Sequence, residues 1–491
     1  MNELPGAIHD ARKRGPGDSG GGARDTPGNA VMTRTLSAFA RSCGGRLQGP
    51  DRPFSAVSSD TRTLTAGELF VALRGERFDG NEFLGKALAA GAAGALVSRE
   101  QPLALAQIVV PDTLVALQSA ARAWREGFHV PVVGVAGSNG KTTTKEMTAA
   151  ILAQAGNCLA TRGSLNNHFG VPLTLLRLQP SDRFAVIEIG ANHPGEVAAL
   201  VGIARPTVGL ITNAGAEHLE GFGSLEGVAR AEGEMVQGLS AEATAVLNAD
   251  DAFIALWRSL TPARVVTFGI DAHADFRATN LDAALTSQGF LTRFTLICPL
   301  GCAAIELHFA GRHNVSNALA AAAAAAQAGA SLEHIAAGLA SVRPVSGRLQ
   351  PRRAACGAWI LDDSYNANPS SVRAGIEVLG SLSGRRWLVL GDMAELGAFG
   401  PQAHAEIGAL ARQHGFERLY AVGSLAALAA ERFGAGAQWF PDTGALSQAL
   451  LADLAHQASE VRMLIKGSRV NRLERVVAAL VGGPQSGPEA H

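Results

Sequence analysis

The sequence predicts an α/β protein of three domains. These are a small mixed α/β domain, a central domain with a mainly parallel sheet, and a C-terminal doubly wound domain of Rossmann-like type. Three observations predict this. A length of 491 residues suits about three domains of ordinary size. The apolar run Val132 to Ala136 leads into a glycine-rich turn and then a helical run over 142–155, the strand–loop–helix order of a phosphate-binding unit. Past Arg348, strand-like and helical runs alternate, as parallel βαβ units require.

Composition narrows the partners. With 47% hydrophobic and 17% charged residues and a net charge of −1, the chain is globular and offers no basic field for nucleic acid or an anionic membrane surface. The longest apolar run, residues 318–326, is too short to span a bilayer, so no membrane insertion is expected. The five cysteines are scattered, Cys298 and Cys302 forming the one close pair. Free thiols in a reducing cytoplasm fit this better than a disulfide framework. Residues 1–31 carry Arg12-Lys13-Arg14 and a Gly/Pro/Ser-rich stretch with no apolar core, so they read as a disordered tail and not as a signal peptide. Residues 484–491 read as a second such tail. A monomer is expected.

Residues 32–126 form the expected first domain. Strands are predicted over 69–73 and 95–97, and an Ala-rich helix over 83–90. Two polar clusters sit beside strand-like runs, where α/β folds place ligand loops. They are Ser58-Ser59-Asp60-Thr61-Arg62 and Arg74-Gly75-Glu76-Arg77-Phe78-Asp79-Gly80. Taken alone, clusters of this kind are more often solvated turns.

Residues 127–343 form the expected central domain. Its loop, Gly137-Ser138-Asn139-Gly140-Lys141-Thr142-Thr143, is a shortened phosphate loop, because Val135 stands where the longer pattern has its first glycine. Backbone N–H groups and the new helix's start suit phosphate, Lys141 suits the β/γ-phosphates, and the Thr142 hydroxyl suits Mg²⁺. Residues 184–190 are a second buried strand with Glu188 near its carboxyl end, the place of a Mg²⁺-directed carboxylate. Strands over 208–212, 245–248 and 265–268 continue the sheet. Residues 275–309 alternate as an antiparallel portion does, and helices over 315–328 and 332–341 close the domain.

Residues 344–483 form the expected third domain, opened by the Pro344-Val345-Ser346-Gly347 turn. Strands are predicted over 359–362, 387–391, 419–422 and 462–465. The stretch from Asp362 to Asn368 follows the first, and Lys466-Gly467-Ser468-Arg469 follows the last. Both lie on the sheet edge where ligands bind.

Taken together, these motifs resemble the Mur ligases. They comprise Ser59-Asp60-Thr61-Arg62, Arg74 to Asp79, Gly137 to Thr143, Ser164-Leu165-Asn166-Asn167, Glu188-Ile189-Gly190-Ala191-Asn192-His193 and His218-Leu219-Glu220-Gly221-Phe222-Gly223. Gly311-Arg312-His313-Asn314-Val315-Ser316-Asn317-Ala318, Gly347-Arg348, Asp362-Asp363-Ser364-Tyr365-Asn366-Ala367-Asn368 and Lys466-Gly467-Ser468-Arg469 follow. Each is weak alone, but together they run in the family's order. The Asp-Asn-Pro-Arg motif expected of the diaminopimelate-adding members is absent from this chain. The Asp362 to Asn368 stretch is what the dipeptide-adding members are expected to carry.

The resemblance implies a cytoplasmic, ATP- and Mg²⁺-dependent amide ligase of cell-wall precursor synthesis. It would join D-alanyl-D-alanine to UDP-N-acetylmuramoyl-tripeptide through an acyl phosphate. It implies Lys141, Glu188, His218 and Arg348 as catalytic residues, and Thr142, Glu188 and His218 as metal ligands. Asn314 would contact adenine, and Asp363 would hold the nucleotide from the third domain. The first domain would take the UDP moiety through Ser59, Asp60, Thr61, Arg62 and Arg77. Asn166 and Asn167 would position the muramoyl end, and Asn366, Asn368 and Lys466 would be further substrate contacts. Another Mur-type ligase, a folylpolyglutamate synthase and a catalytically silent nucleotide-binding scaffold are the alternatives. One departure stands out. Glu232 occupies the place where relatives are expected to carry a lysine that CO₂ converts to a carbamate. The expectation is that Glu232 supplies a permanent carboxylate toward Mg²⁺, directly or through water, or else is an exposed helical residue without a role.

Overall fold

The computed structural model describes residues 34–75, 78–216, 219–455 and 460–482. The expectations for Arg77, His218 and the two tails lie outside these residues.

Three sheets organise the chain. The first is small and mixed, built from β1 (Arg46–Gln48), β2 (Val57–Ser58), β3 (Leu69–Val71), β4 (Gly94–Val97) and β5 (Gln107–Val109) in the order β1-β5-β4-β3-β2. Only the β1–β5 pairing is antiparallel. Its core runs without a break into the central domain: Leu36, Leu96 and Ile108 share one buried cluster with Val132, Ile187 and Trp257.

The central sheet holds β6 (Val132–Ala136), β7 (Cys158–Ala160), β8 (Phe184–Glu188), β9 (Val208–Ile211), β10 (Thr244–Asn248), β11 (Arg264–Gly269), β12 (Phe276–Thr286), β13 (Gly289–Cys298) and β14 (Gly301–Leu307). The order is β14-β13-β12-β11-β10-β9-β6-β8-β7. β6, β8, β9 and β10 are buried along their whole length, which is why they read as continuous apolar runs rather than alternating ones. The β12–β13–β14 meander is antiparallel; burial alternates along β13, as the sequence predicts, whereas residues 279–284 of β12 are exposed in a row. The chain leaves β6 for β7 and β8 on one side, then crosses to β9 on the other. The carboxyl end of β6 is therefore a topological switch point, the place where such sheets bind ligands.

Four helices matter for the site. They are α1 (Lys141–Ala153), α2 (Leu225–Gln237), α3 (Arg312–Gln327) and α4 (Pro369–Gly380). The alanine run of α3 is almost wholly buried, and its small side chains let the helix lie close on the sheet and on α1.

The third sheet comprises β15 (Gln350–Arg353), β16 (Trp359–Asp363), β17 (Arg385–Gly391), β18 (Arg418–Val422), β19 (Ala437–Phe440) and β20 (Val461–Lys466), in the order β15-β16-β20-β17-β18-β19. All pairings but β15–β16 are parallel. β20 is inserted between β16 and β17, so Asp363 and Lys466 end as neighbours in register. The mixed, mainly parallel and doubly wound sheets agree with the fold class predicted from sequence.

Candidate active site

A cavity of about 1200 Å³ opens where the carboxyl ends of the central strands face those of β16 and β20. The phosphate loop forms one wall. Gly140 takes φ +83 and passes so close to Asn317 of α3 that an added Cβ would meet Asn317 Oδ1 at 2.3 Å, so only glycine fits. The helix α1 starts directly after it and aims its first N–H groups into the cavity.

Protein acceptors fix the loop from behind. Ser138 N–H donates to the Asn213 carbonyl at 2.9 Å and Asn139 N–H to Asn213 Oδ1 at 3.1 Å. Gly137 N–H donates to Glu232 Oε2 at 2.7 Å. Lys141 folds back over the loop, its Nζ donating to the Gly137 carbonyl at 2.5 Å and the Ser138 carbonyl at 3.0 Å.

The polar centre lies beside the loop. The Thr142 hydroxyl donates to Glu188 Oε1 at 3.2 Å, and Asn166 Nδ2 donates to the same oxygen at 2.9 Å. Glu188 Oε2 is buried with no hydrogen-bond partner among the described residues. A buried carboxylate oxygen left bare is costly unless a ligand or ion meets it. Hard oxygen donors of this kind suit Mg²⁺, which keeps waters and substrate phosphates around few protein ligands. Among the described residues no group of three His, Cys, Asp or Glu side chains stands where it could hold a metal ion.

The third domain closes the cavity. Arg348 stacks its guanidinium 4.2 Å from the Tyr365 ring centroid and donates Nη2 to the Thr142 hydroxyl at 3.2 Å. Asn368 Nδ2 donates to Asn139 Oδ1 at 2.8 Å, and Asn139 Nδ2 donates to the Ser370 hydroxyl at 3.0 Å. Asn368 also caps α4 by accepting from Ser371 N–H at 2.8 Å. The adjacent acids part company. Asp363 faces the cavity, paired with Lys466 at 2.6 Å and accepting Leu349 N–H at 3.0 Å. Asp362 points into the domain. Burial pushes its carboxyl up, while hydrogen bonds from Ser364 hold it down. Leu349, just past Arg348, sits at φ +50, a backbone that bends the chain sharply where the domains join.

The structure thus brings Gly137 to Thr143, Asn166, Asn167, Glu188, Asn314, Arg348, Asp363, Asn366, Asn368 and Lys466 to one cavity or its phosphate-loop wall. Several have structural duties as well. Asn167 Oδ1 accepts Gly170 N–H at 3.0 Å, Asn314 Nδ2 donates to the Ala310 carbonyl at 2.7 Å, and Lys466 is committed to Asp363 and to the Asn366 carbonyl. Ser59, Asp60, Thr61 and Arg62 do not line this cavity. They form a surface turn after β2 in which Arg62 Nη2 pairs with Asp60 Oδ2 at 2.6 Å. Glu232 is neither exposed nor idle, since its buried carboxylate grips the loop backbone. Sequence reasoning missed Ser370 and gave no role to Asn213, which directly follows a buried strand, or to Asn317, which it held only within the Gly311 to Ala318 motif.

Comparison with known proteins gives three consecutive family matches. Residues 53–139 match the Mur ligase family catalytic domain, 135–325 the Mur ligase middle domain, and 347–469 the Mur ligase glutamate ligase domain. The chain is 47% identical over 452 residues to the UDP-N-acetylmuramoyl-tripeptide–D-alanyl-D-alanine ligase of Escherichia coli, covering 92% of this chain and 99% of that one. It is 35% identical to the enzyme of the same name from Bacillus subtilis, covering 93% of this chain and 100% of that one. Among solved structures, MurF from Acinetobacter baumannii superposes with a TM-score of 0.86 at 35% identity, covering 92% of this chain and 99% of the other. MurF from Thermotoga maritima in complex with ADP superposes with a TM-score of 0.74 at 27% identity, covering 87% and 97%.

Proposed function

The chain belongs to the Mur ligase family, and from that premise we infer that it joins D-alanyl-D-alanine to UDP-N-acetylmuramoyl-tripeptide at the expense of ATP, with Mg²⁺, in peptidoglycan precursor synthesis. The tripeptide's terminal carboxylate attacks the γ-phosphorus of ATP. ADP leaves, and an acyl phosphate remains. The amine of the dipeptide adds to the acyl carbon, loses its proton, and phosphate departs as the amide forms.

The residues divide this work. Two anions must meet in the first step, so positive charge has to stand between them. Lys141 and Arg348 approach the same spot from the central and third domains and supply that charge. Glu188 and the Thr142 hydroxyl would hold Mg²⁺, whose charge would further neutralise the phosphates. His218 is proposed as an additional ligand there. The N–H groups at the start of α1 hold phosphate oxygens. Asn314 contacts the adenine, Asp363 holds the nucleotide from the third domain, and Asn166 orients Glu188 while facing the muramoyl end with Asn167. Asn366 and the Asp363–Lys466 pair shape the third-domain wall that receives the dipeptide. Ser59 to Arg62, which stand outside the cavity, take the UDP group together with Arg77. Closing the wall keeps water from an acyl phosphate it would hydrolyse.

The observation that carries this reading is the meeting of two domains over one phosphate loop, with Arg348 on Thr142 and Asn368 on Asn139. We further propose a monomer working in the cytoplasm without membrane insertion. Among the described residues no helix is long and apolar enough to cross a membrane. Mass spectrometry of the product tests the substrate assignment. UDP-muramoyl-pentapeptide forms from D-alanyl-D-alanine, while single amino acids give no product. Equal use of diaminopimelate or glutamate would contradict it.

A further inference from the structure

Glu232 sits on α2, 7% exposed, and its Oε2 accepts the N–H of Gly137 at 2.7 Å across 95 positions of sequence. Gly137 is where β6 turns into the phosphate loop. Its φ is +117, and an added Cβ would meet Thr212 Oγ1 at 2.1 Å, so the peptide is wedged against the next strand. The same residue offers its carbonyl to Lys141 Nζ. One glycine therefore carries two opposed contacts, the carboxylate on its N–H and the ammonium on its carbonyl.

Position 232 needs an acceptor, because the group it meets is an N–H. A charged acceptor makes the stronger and shorter bond. The next two N–H groups of the loop are held by Asn213, so the loop keeps its shape without phosphate. Preorganised donors need no rearrangement when the anion arrives.

We propose that Glu232 is a positioning residue of the phosphate loop: its carboxylate fixes the Gly137 peptide, and through it the loop shape and the resting place of Lys141, for a nucleoside triphosphate. The inference rests on the nucleotide reading of the loop. It differs from a metal-ligand role, in which charge rather than acceptor position would matter.

Four proteins test it: the parent, Glu232→Gln, Glu232→Asp and Glu232→Met. The readouts are ADP affinity by calorimetry, KM for ATP and for D-alanyl-D-alanine, and melting temperature. The Gln variant keeps an amide oxygen in reach and binds ADP within about threefold of the parent. The Asp variant draws the carboxylate back by one methylene, and the Met variant removes the acceptor. Both lose about tenfold or more in ADP affinity, the scale of one charge-assisted hydrogen bond. KM for ATP rises while KM for the dipeptide stays put. Should the Met variant fail to fold, the Gln–Asp contrast still decides. Parent-like affinity in the Asp variant, or a Gln variant as weak as it and restored by excess Mg²⁺, would overturn the proposal. A parent that binds no ADP would instead refute the nucleotide reading beneath it.

Discussion

Arg348 reaches across the domain junction and donates to the hydroxyl of Thr142 at 3.2 Å, the same hydroxyl that donates to Glu188. A third-domain cation, a phosphate-loop hydroxyl and a buried carboxylate are thereby strung on one line. With ATP phosphates entering between them, as proposed above, the junction at Gly347 to Leu349 is expected to open and close in each cycle. In small-angle scattering, an ATP analogue with the tripeptide substrate should give a more compact and less variable particle than the free protein. Identical profiles would count against closure.

Lys141→Ala should abolish ligation while leaving the fold intact. The side chain is held by two loop carbonyls, and its charge is needed when phosphate is present. Loss of one such electrostatic contact lowers turnover by about 10²-fold or more. Melting temperature is the control, and near-normal turnover would remove the loop from the mechanism.

Glu188→Gln should weaken Mg²⁺ dependence more than nucleotide binding. The carboxylate oxygen without a partner among the described residues is the one a cation would meet, while Oε1 is already engaged by Thr142 and Asn166. Turnover is expected to fall by about 10²-fold, with the Mg²⁺ concentration for half-activity shifted upward. An unchanged Mg²⁺ titration would reassign this carboxylate to a structural role.

Asn368 has two separable tasks, capping α4 and holding Asn139. Asn368→Ala loses both, costing about 1 kcal/mol of third-domain stability and raising KM for ATP. Asn368→Asp keeps the cap but not the amide donor. Chemical denaturation should therefore show stability restored, with KM for ATP still raised.

His404 sets a pH dependence of stability. It is fully buried, its Nε2 accepts Met393 N–H at 2.8 Å, and burial holds its pKa below the usual value. The unfolded chain thus takes up the proton first. Stability is full above about pH 6.5, the ordinary histidine value, and is lost as pH falls from there through the lower folded-state value. Melting curves of His404→Gln, whose amide oxygen can still accept the N–H, should flatten in that window. A variant with the parent's slope would show that other groups set it.

The legible parts of this fold were those whose burial is two-sided. β6, β8 and β9 are buried throughout and apolar up to the Glu188 that ends β8, so their ends, and hence Lys141, Thr142 and Glu188, could be placed from sequence. Short or edge elements were not legible. β1 and β2 hold three and two residues, and β19 leaves Trp439 51% exposed, so no apolar run announces them. Contacts between distant stretches were equally hidden. Nothing local in Ala231-Glu232-Gly233 says that its carboxylate meets Gly137, and only the insertion of β20 beside β16 pairs Lys466 with Asp363. The turn at Ser59 to Arg62 was legible as polar but closes on itself away from the cavity.

The central claim is a single site in which ATP is split only as the tripeptide carboxylate is activated for the dipeptide amine. Coupled phosphate release measures this most directly, with ATP and Mg²⁺ present and the two other substrates added singly and together. Sustained release is predicted only when UDP-N-acetylmuramoyl-tripeptide and D-alanyl-D-alanine are both present. Equal release without either substrate, or none with both, would contradict it.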